Sequence, residues 1–207
     1  MIKGRLRKSQ LIDAGILEDY WSVTLDNYHG PKRPLRLVRQ YIKKLDHMRA
    51  EGMSFMFYGV NNAGKTALAM VLAKAFLLNK LTATVTNLRD MTDLFAQGWK
   101  SDEERRHFDE KVRNCDLLVI DDLLKELHNK ATASVLDAVL RYRSNRRMPF
   151  VITTNASLEE LEQQYGPSFA ALLQRRCLAV QFDDNDKQAA KLMNRNLDLL
   201  ERLEADE

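Results

Sequence analysis

An α/β fold built on buried parallel strands is what this sequence predicts, and three stretches predict it. Gly59-Val60-Asn61-Asn62-Ala63-Gly64-Lys65-Thr66 matches the phosphate-binding loop pattern G-x-x-x-x-G-K-[ST] at every required position. Cys115-Asp116-Leu117-Leu118-Val119-Ile120-Asp121-Asp122-Leu123 holds an apolar run that ends in two carboxylates, the pattern of a strand buried on both faces. Pro149-Phe150-Val151-Ile152-Thr153-Thr154-Asn155 is another such run, ending in a polar residue.

The loop is read together with its neighbours. Ser54-Phe55-Met56-Phe57-Tyr58 is short, apolar and aromatic, a buried strand; from Ala67 to Lys80 the residues Leu68, Val71, Leu72, Ala75 and Phe76 recur at helical spacing. The motif therefore sits between a strand and a helix. In that setting consecutive backbone N–H groups point inward at the α and β phosphates of a nucleotide, and the positive end of the helix dipole lies beside them. Lys65 reaches the β and γ phosphates, and Thr66 offers its hydroxyl to Mg²⁺. Asn62 stands where glycine is common. Asparagine is the non-glycine residue that best tolerates positive φ, so the loop still closes.

Composition narrows the rest. A chain of 207 residues that is 45% hydrophobic buries one substantial core with at most a small appendage, so a single domain is expected. Cys115 and Cys177 lie far apart in apolar surroundings with no CxxC pair, which points to a reduced, cytoplasmic protein without structural zinc. No apolar run is long enough for a bilayer, so no membrane role is expected. The net charge of +3 is small, and its distribution matters more than its sum.

In chain order, Lys3, Arg5, Arg7 and Lys8 form a basic arm that leads into a short helix around Leu11, Ile12, Ile16 and Leu17. The arm suits phosphates, a partner protein or solvent equally. Tyr20 to Tyr28 is aromatic and β-branched, closed by the turn His29-Gly30-Pro31. Leu35, Val38, Ile42, Leu45 and Met48 mark one helix with Arg36, Arg39, Lys43 and Lys44 on its outer face. After the loop helix, Thr82 to Thr86 predicts a strand, with Asn87 capping a helix over Leu88–Gln97. A second, heavily charged helix spans Asp102 to Val112, separated from the first near Gly98-Trp99. Trp99 beside Lys100 either stacks on a base or, the commoner case, closes a helix against the core.

Acidic residues at the carboxyl end of a buried parallel strand lie where open α/β sheets bind ligands. Asp121 is placed to support Mg²⁺ and Asp122 to orient or polarise an attacking water, the Walker B arrangement. A further helix from Ala131 to about Arg147 carries Arg141, Arg143, Arg146 and Arg147 around Tyr142. Asn155 is placed to hold the water near a γ phosphate. From Asp184 a helix with Ala189, Leu192, Leu199, Leu200 and Leu203 near one face ends in an acidic tail, a lid remnant or an oligomer contact.

The order of these motifs, followed by Leu172-Leu173-Gln174-Arg175-Arg176, resembles the AAA+ ATPases of the replicative helicase loader group. Those are the DnaC and DnaI type loaders and the similar IstB-like ATPases of insertion sequences. The likeness runs from about residue 10 to residue 190 and includes the lead-in Leu25-Asp26-Asn27-Tyr28. It implies a three-layer αβα P-loop NTPase core of the AAA+/ASCE class with a five-stranded parallel sheet and short helical extensions. The implied parts are a basic arm and lead-in over residues 1–34, the ATPase core over 35–183, and a C-terminal helix and tail over 184–207. It also implies Lys65 and Thr66 as Walker A, Asp121 and Asp122 as Walker B, Asn155 as the first sensor and Lys187 as the second, where the family more often has arginine. Arg175 or Arg176 is the arginine presented to the neighbouring subunit's γ phosphate, and the family pattern favours Arg175.

What the resemblance implies for function is an ATP- and Mg²⁺-dependent ATPase that self-associates, binds single-stranded DNA and loads a replicative helicase. Arg89, Trp99 and Lys100 fall where such proteins carry DNA contacts. Helicase loaders have a separate N-terminal domain that grips the helicase, and here only the basic arm precedes the core. That difference keeps open an IstB-like ATPase that recruits a transposase. A small-molecule P-loop kinase is a third reading, opposed by Asn155 and the Leu172–Arg176 segment.

Overall fold

The computed structural model describes residues 5–123 and 130–182 of the chain. Five strands make one parallel sheet: β1 (Ser54–Tyr58), β2 (Ala83–Thr86), β3 (Leu117–Leu123), β4 (Phe150–Thr154) and β5 (Cys177–Gln181), in the order β2-β3-β4-β1-β5. The insertion of β4 between β1 and β3 decides the site. It brings the residue after β4 between the loop that follows β1 and the two carboxylates that end β3.

Strand side chains alternate between faces, and both faces are apolar. Phe55, Phe57, Val119, Val151, Leu178 and Val180 pack with Leu68, Leu72 and Phe76 of α4 (Lys65–Leu78) and with Leu37, Val38 and Tyr41 of α2 (Lys32–Lys43). Met56, Leu118, Ile120, Ile152 and Ala179 face the opposite cluster. Its helical members come from α5 (Leu88–Gln97), α6 (Asp102–Phe108), α7 (Lys130–Asn145), α8 (Leu158–Tyr165) and α9 (Pro167–Arg176). The three-layer, five-stranded fold implied by the resemblance is the observed one. Asn87 caps α5 as expected, its side chain accepting from the Asp90 N–H.

The edge strand β2 is covered by the N-terminal segment. Leu11 in α1 (Lys8–Asp13), Ala14 and Ile16 join the core, and the Val85 N–H donates to the Ala14 carbonyl at 2.7 Å. Gly15, at φ +75°, permits this approach: a Cβ there would lie 2.3 Å from the Val85 carbonyl oxygen. The next segment is anchored by buried Lys74 of α4, whose ammonium donates to the carbonyls of Tyr20 at 2.6 Å, Trp21 at 3.3 Å and Val23. Burial lowers the Lys74 pKa to about 8.

Three elements differ from the sequence pattern. The helix expected over Leu35–Met48 is two, α2 and α3 (Leu45–Ala50), because Lys44 leaves helical geometry at φ −109° and ψ 30°. The charged helix over Asp102–Val112 is α6 (Asp102–Phe108) followed by a π turn over Asp109–Arg113, closed by the Asn114 N–H on the Asp109 carbonyl at 2.7 Å. Fully buried Arg143 holds that turn, donating to the carbonyls of Val112, Arg113, Cys115 and Pro149 at 2.7–3.0 Å. These carbonyls replace water around a guanidinium whose pKa burial pulls down. Strand β5, Cys-Leu-Ala-Val-Gln, is the third difference: it follows two arginines directly and has no counterpart among the strands read from the residues.

The C-terminal helix from Asp184 and Lys187 lie outside the described residues. Among the described residues no helix is long and apolar enough to cross a membrane. Cys115 and Cys177 are buried thiols, not joined in a disulfide.

Candidate nucleotide site

The loop between β1 and α4 has the backbone its sequence requires. Gly59 and Gly64 have φ of +127° and +91°, and Asn62 takes the left-handed conformation at φ +61°. Gly64 is constrained twice, because a Cβ there would also lie 2.7 Å from the Tyr28 hydroxyl. Tyr28, buried at the end of the lead-in, thus rests on the loop, with its hydroxyl 3.5 Å from the Ala63 carbonyl. Burial raises its pKa to about 12, so the phenol is neutral near pH 7. Val60 projects from the loop, 59% exposed.

Lys65 is 5% exposed, and its ammonium is held by the carbonyls of Gly59 at 2.9 Å and Val60 at 2.6 Å and by Asn155 Oδ1 at 2.8 Å. These three acceptors are neutral oxygens. An anionic phosphate oxygen at this position adds the attraction of opposite charges to the hydrogen bond.

The carboxylates stand on a β-bulge. Ile120 is opposite Ile152 and Leu123 opposite Thr154, so β3 spends one residue more than β4 between these pairs. Asp122 sits in the bulge at φ +55°. Asp121 Oδ1 accepts from Thr66 Oγ1 at 2.9 Å and from Thr153 Oγ1, while the Asp122 N–H donates to Thr153 Oγ1 at 2.8 Å. Thr153 therefore fixes both carboxylate positions, a role not read from the sequence. Its signal was available: two threonines end an otherwise apolar buried strand immediately before Asn155.

These residues fit a nucleotide with Mg²⁺. A left-handed glycine nest suits phosphate, and a hydroxyl beside a carboxylate is an oxygen pair of the kind Mg²⁺ accepts. Lys65, Thr66, Asp121, Asp122 and Asn155 converge on the carboxyl edge of the sheet.

The two arginines do not converge there. Arg175 and Arg176 end α9 at the amino edge, since Cys177 pairs with Ser54 at the start of β1 while the loop follows its end. The length of β1, roughly 16 Å at about 3.3 Å per residue, separates them from their own loop. Arg176 is turned inward, its Nε donating to Ser144 Oγ at 2.8 Å, whereas Arg175 is exposed.

Arg89 is in the first turn of α5, a ten-residue helix about 15 Å long, and Trp99 lies just past its far end; both are exposed with Lys100. The core-closing position expected of Trp99 is not observed. The residue is 73% exposed and its ring meets Phe95 edge-on at 6.0 Å; Phe95 in turn meets Phe108 at 5.3 Å. The phenylalanines take the core position and leave the indole in water.

A family model described as IstB-like ATP binding protein matches residues 6–186. The replicative helicase loader DnaC of Escherichia coli (strain K12) is 27% identical over 161 residues, which cover 74% of this chain and 63% of that protein. DnaC of Buchnera aphidicola subsp. Baizongia pistaciae is 25% identical over 169 residues, 77% of this chain and 67% of its own length. This chain thus spans less than two thirds of its Escherichia coli relative. A crystal structure of the DnaC helicase loader superposes with a TM-score of 0.69 at 24% identity, covering 81% of this chain and all of that one. The replication initiator DnaA bound to AMPPCP and single-stranded DNA gives 0.66 at 14% identity, covering 89% of this chain and 63% of that one. Sheet order, phosphate loop and a match over most of the chain agree: the chain belongs to the IstB-like ATP-binding protein family.

Proposed function

We propose that this protein is an ATPase that assembles on single-stranded DNA and loads a replicative helicase, hydrolysing ATP only when a neighbouring copy supplies Arg175. The observation that carries the reading is the separation of Lys65, Asp121, Asp122 and Asn155 on one edge of the sheet from exposed Arg175 on the other. Bound ATP with Mg²⁺ supplies the phosphoryl group transferred to water. Lys65 exchanges its two carbonyls and Asn155 for phosphate oxygens, and that exchange frees the Asn155 amide to hold the water. Asp122 polarises the water; Thr66 and Asp121 are the residues that would hold Mg²⁺, which would supply charge stabilisation on the phosphates. Arg175 of the adjacent copy neutralises developing charge, a contribution on the order of a thousandfold or more in nucleotidases that use one. Trp99 supplies a stacking surface for an unpaired base, with Lys100 and Arg89 toward the backbone.

The likeness to DnaC supports the helicase reading. The family model supports a second reading, an ATPase that recruits or regulates a transposase on DNA. ATPase rate measured with and without single-stranded DNA, and with and without the replicative helicase from the same source, separates them. A helicase-dependent change supports the loader. DNA stimulation with no response to helicase moves the assignment to transposition, and no ATPase under any condition sinks both.

A further inference from the structure

Positive charge collects at the amino edge of the sheet, opposite the nucleotide site. Arg49 precedes β1, Lys80 precedes β2, Arg113 precedes β3, Arg146 and Arg147 precede β4, and Arg175 and Arg176 precede β5. Residues 49–53, 79–82, 113–116, 145–149 and 174–176 hold seven cations and two anions, while the whole chain has a net charge of only +3. Arg49 pairs with Asp116 at 3.0 Å and Arg113 with Asp109 at 3.1 Å; Lys80, Arg146 and Arg147 are exposed. Since β2, β3 and β4 are adjacent, Lys80 and the Arg146–Arg147 pair are two strand spacings apart, about 10 Å, with Arg113 between them.

Two backbone features set this strip apart from ordinary helix-end charge. Basic residues in a last helical turn complement the dipole, which accounts for Arg175 and Arg176. Lys80 and Arg147 lie beyond the last turn, in left-handed conformations at φ +63° and +54°. Each occupies the position of a Schellman cap, closed by the Leu81 N–H on the Phe76 carbonyl at 3.1 Å and the Met148 N–H on the Arg143 carbonyl at 2.9 Å. Glycine is the least strained residue there, yet both positions carry long cationic side chains. The other non-glycine residues at positive φ among the described residues are Asn62 and Asp122, both at the nucleotide site. Arg147 is also pinned, because the turn into β1 touches it: a Cβ on Gly52 would lie 2.6 Å from the Arg147 Cα.

The chemistry of the strip suits a sugar–phosphate backbone. Tyr142 is engaged by the guanidiniums of Arg146 at 3.8 Å and Arg113 at 5.3 Å from its ring centre, and its hydroxyl lies 2.9 Å from Asn114 Oδ1. Among the described residues the exposed large apolar side chains, Ile12, Leu17, Val60 and Trp99, all belong to other segments. Fixed cations with no free ring beside them recognise charge, and offer nothing to an unstacked base. We propose that Lys80, Arg113, Arg146 and Arg147 form a docking surface for the phosphate backbone of duplex DNA, independent of base sequence. Arg175, two strands beyond β4, is left to the neighbouring copy.

The test is binding of the full chain to a short labelled duplex and to a labelled single strand across a salt series, for Lys80→Gly Arg146→Gln Arg147→Gly and for Arg146→Gln alone. Glycine relieves both left-handed positions, so the triple variant keeps or raises its thermal midpoint. Duplex affinity is expected to fall about tenfold or more at low salt, and the slope of log affinity against log salt to fall by roughly 2 to 3. The single variant loses roughly one unit of slope. Trp99→Ala is expected to weaken single-strand binding and leave duplex binding intact, which separates this surface from the one under Proposed function. Failure of the unaltered protein to bind duplex, or an unchanged slope in the triple variant, overturns the proposal. So does loss of ATP-driven self-association with duplex affinity retained, which would make the edge a protein interface.

Discussion

At the carboxyl edge of the sheet, charged and polar groups are bonded to one another: Lys65 to Asn155, Thr66 to Asp121, and the Asp122 backbone to Thr153. At the amino edge, Lys80, Arg146, Arg147 and Arg175 project into solvent from the turns that enter the strands. The first edge is preorganised, its donors already held by internal acceptors. The second is open, its cations turned to solvent. Left-handed non-glycine residues occur at both, Asn62 and Asp122 at one and Lys80 and Arg147 at the other. The difference teaches that a single sheet presents an internally bonded polar cluster on one side and exposed charge on the other, with left-handed non-glycine residues at each.

Substitutions that strike one edge and spare the other test the contrast. Arg175→Ala is expected to lower turnover about a thousandfold with ATP affinity kept, read as kcat against nucleotide Kd. An equal loss in Kd would place Arg175 in its own subunit's binding site and erase the distinction. Lys65→Ala should weaken ATP binding about a hundredfold, measured by calorimetry, because a charge-assisted contact is lost. Retained tight binding would contradict the exchange described for Lys65. Thr153→Val keeps shape and removes both bonds to the Asp121–Asp122 bulge; kcat should fall tenfold to a hundredfold with little change in Kd. Lys74→Met removes the ammonium that bridges the Tyr20, Trp21 and Val23 carbonyls, and should cost about 1–3 kcal/mol in chemical denaturation with turnover nearly intact.

The carboxyl edge was legible in the sequence because its chemistry demands fixed spacing. A nest needs glycines and Lys65 at set offsets, and a buried strand ending in two carboxylates is rare without a ligand to hold. Thr153 escaped because a threonine on a strand ordinarily signals β propensity, and only the bulge beside Asp122 turns its hydroxyl into a bridge. Strand β5 escaped because Arg175-Arg176 runs straight into it, leaving no turn residue to mark its start. Trp99 departs from the expected core position because Phe95 and Phe108, not the indole, fill the core beneath α5 and α6. The amino edge is invisible to local patterns altogether: its cations are scattered over more than a hundred residues and meet only through the strand order.

The claim that a neighbouring copy completes the site is tested most directly by mixing two inactive proteins, Asp122→Asn and Arg175→Ala Arg176→Ala, and measuring ATPase rate across their ratio. In a mixed assembly the first protein supplies an intact arginine and the second an intact Asp122, so activity is predicted to appear and peak at intermediate ratios. Rates that stay at the level of the separate variants at every ratio would contradict the account.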